Sequence, residues 1–148
     1  MTEQRVVQAH DIIDAPAARI FDLIAEPSLQ PTWDGNDNVG AAEPGQRVSA
    51  VGDVFIVRLT NGKVRDNHVV EFTPDRLIAW KPATEGQEPA GHLWRWELDE
   101  RGDGSTEVTH TYDWTDLTDE QRLVRARSID ESYLAASIAR LKEVATQA

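Results

Sequence analysis

The sequence predicts an α+β domain: a curved antiparallel sheet wrapped around one long C-terminal helix, with two short helices after the first strand. Three observations carry this expectation. Alternating apolar and polar segments follow one another through the middle of the chain, joined by turn dipeptides such as Asn61-Gly62 and Pro74-Asp75. Connections this short suit antiparallel neighbours and leave no room for crossover helices. From Thr118 onward neither Gly nor Pro occurs, and apolar residues recur every three or four positions.

Each element follows in order. Arg5 to Asp14 mixes β-branched and polar residues as a half-buried strand does. Asp14 is the expected cap of a short helix with Pro16 near its first turn and Ile20, Phe21, Leu23 and Ile24 as its apolar stripe. Ser28 is the expected cap of a second turn of helix ending at Trp33, before the polar run Asp34 to Asn38. Strands are expected over Asp53–Thr60, Lys63–Thr73, Arg76–Lys81, Gly91–Arg101 and Thr106–Thr115, with a Pro-, Gly- and Glu-containing loop at Pro82–Ala90. Thr118-Asp-Glu-Gln121 reads as a capping box that opens the long helix, whose buried stripe includes Tyr133, Leu134, Ile138 and Leu141.

The 148 residues suit one domain spanning residues 1–148, able to bury roughly 70% of the surface of the unfolded chain. With 15 basic and 26 acidic side chains, the formal net charge is −11. A binder of nucleic acid or anionic membrane needs clustered Lys and Arg, and the linear sequence contains no such cluster. From Glu97 to Glu131 there are 11 acidic and 4 basic residues, so this stretch supplies −7 of the total. Cysteine is absent, which excludes disulfides, thiolate catalysis and Cys-ligated metal sites. Met1 to Arg5 lacks the apolar run of a signal peptide and no stretch of about 18 apolar residues occurs, so a cytoplasmic location is expected.

A bent sheet cannot touch a straight helix along its whole length, so a gap is expected between them. Period-two geometry suggests which residues face it. In Lys63–Thr73, Asp66 and His68 share parity with Val64, Val70 and Phe72. Trp94, Trp96 and Leu98 share a face, as do Val108, His110, Tyr112 and Trp114. Trp33 stands beside the polar loop as a guard of the entrance, and Tyr133 of the terminal helix closes the same space. The candidate ligand-binding residues are therefore Trp33, Asp66, His68, Trp94, Trp96, His110, Tyr112, Trp114 and Tyr133. On this reading the acidic charge describes the shell, and the interior is aromatic and neutral.

Several apparent motifs fail. Asp34, Asn36 and Asn38 imitate the start of an EF-hand loop, but Val39 and Gly45 stand where Gly and a bidentate Glu are required. The four histidines lack zinc-site spacing, Gly102-Asp-Gly104 does not open a helix, and there is no Gly-x-Ser-x-Gly elbow. No metal or nucleotide cofactor is expected.

Ile13-Asp-Ala-Pro16 leading into Ile20-Phe-Asp-Leu-Ile24, Pro31-Thr-Trp-Asp34, Glu71 through Trp80, Gly104-Ser-Thr-Glu-Val-Thr109 and the final Ile138-Ala-Arg-Leu-Lys142 together resemble the START-like, or SRPBCC, superfamily over essentially the whole chain. The resemblance implies the helix-grip fold. Within that superfamily the chain looks most like the polyketide cyclase/dehydrase and lipid-transport group, which implies a cavity for hydrophobic or aromatic molecules but no fixed catalytic motif. The Trp94 to Trp114 region is also similar to homologues of the chaperone ATPase activator. Three functions follow: a binder of a small hydrophobic or aromatic molecule; a cyclase or dehydratase with His68 or His110 as base and Tyr112 as proton donor; or an interaction module for a protein partner.

Overall fold

The computed structural model describes residues 3–147; Met1 and Thr2 of the leading segment read above lie outside them, as does Ala148. Strand β1 (Val6–Ile13) is followed by helix α1 (Ala17–Ala25). Pro16, not Asp14, is the α1 cap: its carbonyl accepts the Arg19 and Ile20 amides at 3.1 and 3.3 Å, and no side chain caps the helix. Ser28 is not a cap either, because its hydroxyl donates to Glu26 Oε1. A 3-10 turn at Pro27–Leu29 runs into α2 (Gln30–Trp33).

The strands β2 (Val39–Ala41), β3 (Val54–Leu59), β4 (Val64–Thr73), β5 (Leu77–Thr84), β6 (Leu93–Glu100) and β7 (Thr106–Asp113) complete one antiparallel sheet in the order β1-β7-β6-β5-β4-β3-β2. The three-residue edge strand β2 is too short for a sequence pattern to reveal. Strand β5 extends past Lys81 through Pro82, which the sequence assigned to a loop. Beyond Trp80 it pairs with β4 alone, and an edge of this kind tolerates a residue with no N–H.

The expected long helix is two helices, α3 (Glu120–Ser128) and the longer α4 (Glu131–Ala145). No Gly or Pro breaks the chain between them. Asp130 is extended and its carboxylate accepts the Tyr133 amide at 3.0 Å, while Ile129 is buried at the corner. Capping competes locally with helix continuation, and burial of Ile129 fixes the turn. At the start of α3, Asp119 rather than Thr118 caps, accepting the Gln121 amide at 2.9 Å.

Helix α4 buries Leu134, Ser137, Ile138, Leu141 and Ala145, packing on β1 and β7 and against α1 and α2. Arg19 of α1 donates to the Ala145 and Gln147 carbonyls, which holds the end of α4. The α2–β2 loop is pressed onto α4 at Gly35, where a Cβ would collide with the Ala136 carbonyl. The Gly35 amide donates to Ser137 Oγ.

One irregularity decides which residues face inward. The β4–β5 register shifts between Val69 and Glu71, a bulge that inserts an extra residue and reverses parity. After it, Phe72 points inward against Phe21 of α1, at 5.6 Å between ring centroids. Before it, the inward positions are Arg65, Asn67 and Val69; Asn67 and Val69 are 4% and 2% exposed. The parity drawn from Val70 and Phe72 therefore does not extend back to Asp66 and His68.

Candidate functional site

A cavity of about 250 Å³ lies between the inner sheet face, the α2–β2 loop, α3 and α4. Its wall is aromatic. Trp94 and Trp96 of β6, His110 and Tyr112 of β7, Trp80 of β5, Trp33 of α2 and Tyr133 of α4 all line it. His110 stacks on Trp96 at 3.7 Å and 12°, and Trp94 lies 4.3 Å from Tyr112 and 6.2 Å from Tyr133. Trp33 meets Trp96 edge-on at 5.3 Å. Rings in stacked, tilted and edge-on contact make a closely packed aromatic surface.

Several polar atoms sit in this wall. Trp33 Nε1 donates to the Leu23 carbonyl at 2.8 Å, so the indole is a fixed part of the wall and not the entrance guard expected from the sequence. His110 Nδ1 lies 3.1 Å from the Arg95 carbonyl. A carbonyl only accepts, so Nδ1 carries the proton and Nε2 is bare. Burial pushes the His110 pKa down to about 3, outweighing the opposing effect of that hydrogen bond. His92 is held down to about 4, by burial first and then by the charges of Arg122, Arg125 and Arg65. Burial raises Tyr112 to about 12, so its hydroxyl keeps its proton. Among the described residues, two buried cavity atoms have no hydrogen-bond partner, His92 Nδ1 and Trp96 Nε1. Leaving such groups unpaired costs roughly 1–3 kcal/mol each.

Part of the lining is cationic. Lys63, just before β4, and Arg65 of β4, with Arg122 and Arg125, one turn apart on α3, all line the cavity, and Asp34 is the one lining carboxylate among the described residues. Asp34 is engaged locally, accepting the amides of Asn36, Asn38 and Val39 at 3.1, 2.7 and 2.6 Å. The interior expected to be neutral is thus positive in a chain of net charge −11. The sequence showed no basic cluster because these residues come from two segments more than fifty positions apart, and two of them lie within its most acidic stretch.

Of the predicted residues, Trp33, Trp94, Trp96, His110, Tyr112 and Tyr133 meet around the cavity. Asp66, His68 and Trp114 do not line it. Asp66 accepts the Gly86 amide at 2.9 Å, and His68 Nε2 is buried without a partner on the other side of β4. Trp114 lies beyond the end of β7 with the Arg5 guanidinium 4.7 Å over its ring. Sequence reasoning missed Arg65, Asn67, Trp80, His92, Arg122 and Arg125 as lining residues. The alternation of Asn67 with Val69 held a signal for β4; nothing local marked the arginines of α3.

An open antiparallel sheet gripping a C-terminal helix around an aromatic cavity defines the helix-grip class of proteins. The chain belongs to the family described as polyketide cyclase / dehydrase and lipid transport, which it matches over residues 4–146. It is 28% identical over 105 residues to the uncharacterised protein Rv0088 of Mycobacterium tuberculosis, covering 69% of this chain and 44% of that protein. The chain thus spans less than half the length of that relative. In fold it is similar to protein MLL2253 of Mesorhizobium loti, with a TM-score of 0.69, 19% identity and coverage of 95% and 96% of the two chains. The Aha1 dimer of Colwellia psychrerythraea is similar too, with a TM-score of 0.66, 20% identity and 96% coverage of each. No helix among the described residues is long and apolar enough to cross a membrane.

Proposed function

We propose that the protein binds a small hydrophobic or aromatic molecule in the cavity between the sheet and helices α3 and α4, holding it for sequestration or transport. The observation that carries this reading is the wall of Trp33, Trp80, Trp94, Trp96, His110, Tyr112 and Tyr133 around open volume. An aromatic contact surface with polar groups directed into the same space is what a small-molecule site requires, and about 250 Å³ favours a compact ligand. Family membership supports it as well.

Acid–base chemistry is the weaker alternative. His68 lies away from the cavity, and His110, with its pKa held at about 3, is a poor general base at neutral pH.

Four of the five tryptophans line the cavity, so intrinsic fluorescence reports on its occupancy. Titration with a panel of aromatic polyketides, fatty acids and sterols is expected to give a saturable change for at least one compact aromatic member. Trp94→Ala should weaken that binding roughly tenfold, the worth of one aromatic contact. A panel that produces no saturable change overturns the proposal.

A further inference from the structure

Among the described residues, the arginines at the cavity make hydrogen bonds to neutral groups but no close bidentate pair with a carboxylate. Half-buried Arg95 on the outer face is matched by a bidentate pair with Glu71, at 2.6 and 2.9 Å. Half-buried Arg65 is not: its hydrogen bond is to the carbonyl of its own neighbour Val64. Arg122 donates to Thr84 Oγ1 at 2.6 Å and approaches Asp119 only to 3.8 Å, while Arg125 donates to the Tyr133 hydroxyl at 2.9 Å.

These contacts gather the three guanidiniums. Arg65 is the cross-strand partner of Thr84, the residue to which Arg122 is bonded, and Arg125 stands one turn further along α3. The cost of this gathering is visible in Arg65, whose pKa is drawn down by burial and then by the charges of Arg122 and Arg125. A chain with 26 acidic side chains has carboxylates to spare, yet mutually repelling arginines face one cavity together. Guanidiniums in this setting match the fork geometry of a carboxylate or phosphate.

We infer that the ligand is an aromatic or hydrophobic molecule bearing an anionic group, its apolar body against the tryptophan wall and its carboxylate or phosphate between Arg65, Arg122 and Arg125. This rests on the proposed ligand-binding function and narrows its ligand class. The unpartnered His92 Nδ1 belongs to the same cavity, and His92 is among the groups that feel these three arginines. The net charge of the whole chain does not oppose such a ligand, because at about 10 Å the Debye length confines the acidic shell to its own neighbourhood at ordinary salt.

The test compares three molecules of one shape, 2-naphthoate, 2-naphthyl phosphate and neutral 2-naphthamide, by titration calorimetry against the full chain. At least one anion is expected to bind tenfold or more tightly than the amide, and the stronger of the two names the group. In Arg122→Gln/Arg125→Gln, which leaves the buried Leu123 and Ala126 of α3 untouched, that ratio should fall below about threefold; Arg101→Gln, in the exposed β6–β7 turn, should leave it unchanged. Anions that bind no better than the amide, or a ratio that survives the double substitution, overturn the inference while leaving the binding function standing. Failure of all three naphthalenes, with a saturable response to a neutral member of the fluorescence panel, also rejects the anion but keeps the cavity. Failure of every compound in both experiments rejects both readings.

Discussion

His110 joins packing, hydrogen bonding and protonation in one side chain. Stacked on Trp96 and tied to the Arg95 carbonyl through Nδ1, it folds as the neutral ring. An unfolded chain returns it to about 6.5. Between about pH 6.5 and 3 the unfolded state therefore binds a proton that the folded state refuses, so stability is full above this window and declines as pH falls through it. His92, held down to about 4, adds to the same decline. Urea unfolding midpoints are expected to fall from pH 7 to pH 5, and His110→Gln should flatten that fall by about one proton's worth. An unaltered pH dependence in the variant would show that His110 is not its source. At this scale the sequence was informative where alternation ran undisturbed: Trp94, Trp96, His110 and Tyr112 were placed correctly because β6 and β7 pair in unbroken register. Asp66 and His68 were misplaced because one inserted residue at Val70 reverses every side chain before it.

At the scale of elements, the junction between α2 and α4 positions one wall of the cavity. The loop after Trp33 is held by Gly35 against Ala136 and by the Asn36 side-chain amide donating to the Tyr133 carbonyl at 2.8 Å. Gly35→Ala must push the loop away from α4, an overpacking change expected to cost about 1–3 kcal/mol. Gly102→Ala, where a Cβ meets open space, should stay within about 0.5 kcal/mol of the parent. Denaturant titration of both variants checks the contrast, and equal effects would mean that the contact yields without cost. The strands other than β2, together with α1, were legible from turn residues and periodicity. The break at Ile129-Asp130 was not, since the apolar spacing runs through it and only the capping ability of Asp130 hints at a second start. That break matters to the site: it separates α3 from the axis of α4, and α3 carries Arg122 and Arg125 to the cavity.

Across the whole molecule, charge is distributed by sign. The stretch from Glu97 to Glu131 supplies −7 of the net −11, with Glu97, Asp99, Glu100, Asp103 and Glu107 all exposed, whereas the cavity gathers Lys63, Arg65, Arg122 and Arg125. Composition records the sum and hides the separation, which only the tertiary arrangement creates. The same scale governs how the sheet assembles. Strand β1 pairs with β7 from Val6 opposite Asp113 to Ile13 opposite Thr106, joining residues about a hundred positions apart. Sheets built on such distant pairings fold in roughly milliseconds to seconds. Stopped-flow refolding should fall in that range, and Ala9→Gly, in the β1–β7 ladder, should act mainly by speeding unfolding if that ladder closes late. A selective slowing of refolding would instead put the ladder in the nucleus.

That pairing also has a consequence during synthesis. At roughly 5–20 residues per second, the stretch between β1 and β7 takes on the order of 5–20 s to make. Throughout that interval β1, with Val6 and Ile12 still partly exposed even in the finished fold, is a β-prone apolar segment without its partner strand. The nascent chain is thus at its most adhesive before its last third exists, and the time to reach Thr106 sets how long that exposure lasts.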